Sequence, residues 1–142
     1  MTGEGAEATL GPPRTPGPGA VRPADPRVML REAQELLDAG RPFHAHEVLE
    51  DAWKAAPSGE RELWRGLAQV AVGLTHARRG NAKGAVALLR RGALGVGEYP
   101  EPAPHGIDVS GIGRRAGQLA ERIEREGLGT VSAEEFTIRL VR

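Results

Sequence analysis

Between Leu37 and Phe43 the chain reads Leu-Asp-Ala-Gly-Arg-Pro-Phe, a helix stop and a helix start with hardly a residue between them. Gly40 is the expected C′ residue of a helix opened by Asp25 as N-cap and Pro26 at the first helical position, with Val28, Met29, Ala33, Leu36 and Leu37 at helical spacing. Pro42 suits the first turn of a second helix that ends near Ala56, because Pro57 cannot continue it. Helices joined this tightly must fold back on each other, so the spacing predicts an antiparallel hairpin.

The same punctuation divides the rest. Ser58 can cap a third helix running to about Arg79, with Leu63, Leu67, Val70 and Leu74 in one stripe. Trp64, Ala68, Ala71 and Val72 widen that stripe so far that this helix is expected at the centre of the fold. Gly80 stops it and Asn81 caps a fourth helix through Val96. Three prolines make Gly97 to Gly106 a crossing loop, after which Asp108 caps a fifth helix ending at Gly127. In the last segment Ser132 and Glu135 fit a capping box, while Thr-Ile-Arg-Leu-Val alternates like a strand; an extended tail laid on the helices is expected. The fold class is therefore all-α, a compact bundle of about five helices in short antiparallel hairpins, forming a single domain over residues 25–142. Residues 1–24, rich in Pro and Gly and nearly devoid of large apolar side chains, are expected to be a disordered tail.

Composition removes several functions. Lys plus Arg equals Asp plus Glu at 19 each, so no overall field steers the chain to nucleic acid or to an anionic membrane. With no cysteine, disulfides and thiolate metal sites are out, and any metal would need His, carboxylate or carbonyl ligands. No apolar run approaches the ~20 residues that span a bilayer, and none near Met1 forms a leader, so a cytoplasmic protein without membrane attachment is expected.

Chemistry concentrates in Pro42 to Trp53, Pro-Phe-His-Ala-His-Glu-Val-Leu-Glu-Asp-Ala-Trp. His46 and Glu50 stand one helical turn apart at the edge of the buried arc, whereas His44 points roughly 160° away from His46 and is expected in solvent. On the third helix Glu62, Arg65, Gln69 and His76 share a face, beside glycines at 66, 73 and 80. Glycines at this spacing make a groove that admits another backbone, and the His46 helix is expected to lie in it. The candidate site is then His46, Glu50, Gln69 and His76, with Glu47 and Arg65 at the rim.

The segments Phe-His-Ala-His-Glu-Val-Leu-Glu-Asp-Ala-Trp and Gly-Leu-Ala-Gln-Val-Ala-Val-Gly-Leu-Thr-His-Ala-Arg-Arg-Gly-Asn, with Gly84-Ala85 and Leu88-Leu89 beyond, resemble the bacterial and archaeal family called domain of unknown function 309. The resemblance covers about the central half of the chain. It implies a compact all-helical fold and a recurrent His-Glu-x-x-Glu on the second helix, and it implies no activity. Arg65 departs from it, since the family often has glutamine there.

His46, Glu50 and His76 would suit zinc or another divalent metal with one open position, while Glu47, Arg65 and Gln69 would bind a small ligand. No reaction is assigned. The His-Glu-x-x-His signature of a metalloprotease is missing its second histidine, and Glu-x-x-His occurs nowhere, which excludes a ferritin-type di-iron bundle. The more ordinary reading of the same residues is a hydrogen-bond network, His46 bonded to Glu50 or Gln69 and holding two helices in register. A different function class comes from charge. No acidic residue lies between Leu63 and Gly97, whereas Arg65, Arg78, Arg79, Lys83, Arg90 and Arg91 are basic, so this face could serve a non-catalytic interaction or phosphate-binding module. Nucleic acid is disfavoured by the lack of interleaved aromatics. The hairpins look somewhat like a tetratricopeptide unit, but no repeat of about 34 residues follows, and a homodimer through an exposed helix face is left open. Small-ligand or metal binding is the principal expectation and the basic module its alternative.

Overall fold

The computed structural model describes residues 25–142; the tail expected at residues 1–24 lies outside the described residues. The fold is all-α, with five helices and, among the described residues, no strand. They are α1 (Pro26–Asp38), α2 (Pro42–Ala55), α3 (Arg61–Arg78), α4 (Ala82–Gly97) and α5 (Val109–Glu126). Ser58 does not cap α3 as expected; Ser58–Glu60 form a 3₁₀ turn, and α3 starts behind it.

Two helix ends are built alike. At the end of α1, Gly40 takes φ +73° while its N–H bonds the Leu37 carbonyl and the Arg41 N–H bonds that of Leu36. At the end of α3, Gly80 takes φ +79°, with the same bonds from Gly80 to Ala77 and from Asn81 to His76. Both are Schellman ends, in which a left-handed glycine lets the chain satisfy orphan carbonyls and leave at a sharp angle. In each case the next helix begins within two residues, at Pro42 and at Ala82.

Each helix packs on its neighbour in sequence, most extensively α3 on α4. The core runs through all five, from Leu30, Leu37 and Leu49 to Trp64, Leu67 and Leu89, and on to Ile112, Leu119 and Ile123. The glycine groove of α3 is occupied, but by α4 rather than by α2. A Cβ on Gly66 would stand 2.7 Å from Val96 Cγ2, and one on Gly73 would stand 2.9 Å from the Leu89 backbone nitrogen. The α4 helix fits there because it brings its own glycine, Gly92, against Val70 and the Gly66 carbonyl. The α2 helix instead carries Ala45, Leu49 and Ala52 on its buried side and makes its contact with α3 elsewhere.

The C-terminal segment combines both expected features. Ser132 and Glu135 form the capping box of a short 3₁₀ helix, Ala133–Phe136, and the chain beyond it is extended. Gln34 on α1 substitutes for a neighbouring strand, donating to the Ile138 carbonyl at 3.0 Å and accepting from the Leu140 N–H at 2.8 Å. On the other side Ile107 and Val141 form an isolated antiparallel bridge. Ile138 and Leu140 are thereby buried.

The Glu135 carboxylate accepts from the Ser132 N–H and pairs with Arg122, and these bonds hold its pKa down at about 2 from its ordinary 4.5. A depressed carboxylate contributes stability above its unfolded pKa and loses it as pH falls through the folded one. Amide protection over residues 132–140, taken relative to the intrinsic exchange rate at each pH, is therefore expected to fall between about pH 4.5 and pH 2. Glu135→Gln, which cannot ionise, should show lower protection at neutral pH and little further loss of protection on acidification.

Among the described residues, no helix is long and apolar enough to cross a membrane.

Candidate functional site

The expected site residues are divided between α2, which carries His46, Glu47 and Glu50, and α3, which carries Arg65, Gln69 and His76. His46 and Glu50 are half-buried on α2, and Glu47 is exposed. The Arg79 guanidinium lies 5.4 Å from the Phe43 ring centre and the Arg61 guanidinium 5.9 Å from that of Trp53, so α2 runs antiparallel to the outer ridge of α3. Gln69 and His76 sit on the flank of α3 that faces α4, because the glycines beside them receive that helix. The His76 ring is used there. Asn81 Nδ2 lies 3.1 Å from His76 Nδ1, the amide donating, while Asn81 Oδ1 accepts the Gly84 N–H at 3.0 Å to cap α4. A Cβ on Gly84 would meet the His76 ring at 2.9 Å, so the run from His76 to Gly84 is a packed helix junction.

Among the described residues, no three of His, Asp and Glu come together in a group able to hold a metal ion, so His46, Glu50 and His76 do not form one. The hydrogen bonds of the structural network are also absent: among the described residues, His46 is bonded to neither Glu50 nor Gln69, and its ring instead packs 6.0 Å from that of Phe43. Arg65 pairs with Glu62 one turn away, at 3.7 Å.

Within the basic run, Arg65 and Arg90 have carboxylate partners, whereas among the described residues Arg78, Arg79, Lys83 and Arg91 have none. Arg90 reaches across to α5 and makes a two-pronged pair with Glu124, at 2.6 and 3.1 Å, which raises the pKa of the guanidinium and lowers that of the carboxyl. Arg78 and Arg79 stand at the C-terminal end of α3. There they meet Arg41, which folding brings from the α1–α2 junction. Gly40, Arg41, Phe43, His44, Arg78 and Arg79 line one open cleft of about 300 Å³, floored by Pro42 and Thr75. No carboxylate lines it, and among the described residues none of the three arginines has a carboxylate partner. Phe43, 41% exposed, offers its face to Arg79, which holds the guanidinium plane by cation–π attraction and leaves its N–H edge unused. The first turn of α2 beside the cleft has no side-chain cap and no acidic residue.

A polar cluster not expected from the sequence lies at the other end of α3. Trp64, 1% exposed, donates its indole N–H to Glu60 Oε1 at 3.1 Å, and His105 Nε2 lies 3.1 Å from the same oxygen. His105 is held in a left-handed conformation, φ 62°, and Tyr99 donates its hydroxyl to the Gly59 carbonyl. The cluster fastens the crossing loop to the start of α3. The acceptor shared by Trp64 and His105 leaves no ordered signature in sequence, since Glu60 and His105 are 45 residues apart.

Fold and site together define a small all-α protein of consecutive helix hairpins with a cationic cleft at one end. Residues 30–88 match the family described as domain of unknown function (DUF309). It is similar to the uncharacterized protein YpuF of Bacillus subtilis (strain 168), 46% identical over 99 residues, which are 68% of this chain and 53% of YpuF. An uncharacterized protein of Aquifex aeolicus (strain VF5) is 28% identical over 74 residues, 51% of this chain and 22% of that protein. The matches thus span about half of one relative and less than a quarter of the other. No solved structure matches at a significant level.

Proposed function

We propose that this protein is a non-catalytic binding module for an anionic group, a phosphate or a carboxylate, taken up by Arg41, Arg78 and Arg79. The observation that carries the reading is the convergence of three arginines from two chain segments on a cleft without a carboxylate. Helix-end arginines commonly complement the dipole of their own helix, which accounts for Arg78 and Arg79 but not for Arg41 beyond the end of α1. Like charges brought together cost free energy unless an anion offsets them, and guanidinium forks match phosphate and carboxylate geometry. This reading develops the phosphate-binding alternative drawn from the basic run of residues 65–91, narrowed to its Arg78 and Arg79 and joined by Arg41.

Charge-assisted hydrogen bonds contribute roughly 1.5–3 kcal/mol each, so two or three should hold inorganic phosphate with a Kd of about 1 mM or below in low salt. Titration calorimetry checks this. Arg78→Ala/Arg79→Ala should weaken binding by more than about tenfold with the helical circular dichroism unchanged, and added chloride should weaken the wild type. Phosphate binding that is undiminished in the double variant would rule the cleft out.

A further inference from the structure

We infer that the anion is the head of a small organic molecule whose body lies in the cavity adjoining the arginine cleft, beneath the C-terminal segment. This rests on the anion-binding reading and specifies the ligand for the same site. The cavity has a volume of about 290 Å³ and shares Gly40, Pro42 and Arg78 with the cleft. Arg78 marks the boundary: its Nη1 is 3.1 Å from where a Cβ of residue 40 would stand, so the guanidinium lies on the bare backbone of the junction, reachable from both spaces. Leu37 and Leu74 form one wall and Phe136 another, while Asp38 and Glu134 stand at the rim.

Those features orient a ligand. An anion is repelled by the two rim carboxylates and poorly solvated by the apolar walls, so the charged end belongs in the cleft. A ring-sized apolar body is suited to the cavity, and a hydrogen-bond donor on it would face Asp38 or Glu134. The volume is near the lower end of small-molecule sites. The roof is fixed in place, because Arg115 donates to the Glu135 carbonyl at 2.6 Å and Gln34 holds the chain on both sides of Arg139. A preformed space of this kind takes a body without the entropic cost of ordering its wall.

The test compares inorganic phosphate, phenyl phosphate and phenol by calorimetry on the wild type and on Ala133→Trp, whose new indole on an exposed roof position would fill the cavity. Phenyl phosphate is expected to bind about tenfold tighter than inorganic phosphate, from burial of roughly half the ring. Phenol alone should bind weakly. In Ala133→Trp the advantage of the phenyl group should vanish while inorganic phosphate binds as before, which also shows that the variant is folded. Equal affinities for the two phosphates in the wild type would overturn this inference and leave the anion reading standing, as would an advantage that survives in Ala133→Trp. Absence of binding by any phosphate would overturn both.

Discussion

Gly92→Ala is expected to destabilise the protein by about 2 kcal/mol, although alanine is the better helix former by about 1 kcal/mol. A Cβ at position 92 would stand 2.6 Å from Val70 Cγ2, 2.8 Å from the Gly66 carbonyl oxygen and 2.8 Å from the Val70 nitrogen. Two of these are backbone atoms, so no rotamer change relieves the contact; α3 and α4 must separate. Separation would loosen the largest helix–helix contact in the fold and the packing of Leu89 and Val96, both fully buried. Gly117 on α5 is the internal comparison, because nothing lies within 4 Å of the Cβ it lacks. Gly117→Ala should follow propensity alone and stabilise by up to about 1 kcal/mol. Urea unfolding of the two variants should therefore move the midpoint in opposite directions; a shift to higher urea for both would contradict the close approach of α3 and α4.

Trp64→Ala is expected to cost more, about 4 kcal/mol, which is a large part of the stability of a domain this size. The side chain is 1% exposed near the start of α3, and its loss leaves a cavity that helices fixed at both flanks can only partly close. The damage includes a polar part. Glu60 Oε1 accepts from both the indole and His105, so removing Trp64 costs the carboxylate one of its two bonds and takes from the His105 ring the indole packed 6.0 Å away. Trp64→Phe separates the two contributions: it keeps most of the volume and removes the donor, and should cost about 1–2 kcal/mol. In amide exchange, Trp64→Phe should expose the loop around Gly106 more than α1, since the loop is what Glu60 and His105 fasten.

The fold was legible in the sequence where local chemistry decides it. Asp25, Asn81 and Asp108 cap the helices expected of them, and Gly40 and Gly80 end theirs in the left-handed conformation, because each of these roles is settled within a few residues. The 3₁₀ turn at Ser58–Glu60 was not legible: Ser58 has a good N-cap side chain, but no capping bond forms and the helix starts later. Partner choice was also hidden. Glycines 66 and 73 announce that a backbone comes close, and two candidates existed; the deciding residue is Gly92 on α4, a second glycine that lets both backbones approach. That choice turns Gln69 and His76 away from His46 and commits the His76 ring to Asn81. Arg78 and Arg79 were visible as part of a basic run. Their association with Arg41 was not, since it depends on how two Schellman turns bring separate hairpins to one end.

The most direct test of the arginine cleft is a map of amide chemical shifts in the ¹⁵N-labelled protein during titration with inorganic phosphate at low salt. The account predicts saturable shifts concentrated at Gly40 to His44 and at Arg78 to Gly80, with residues around Glu60 and His105 unmoved. Shifts that are absent, or that gather instead around Arg90 and Arg91 on α4, would contradict it.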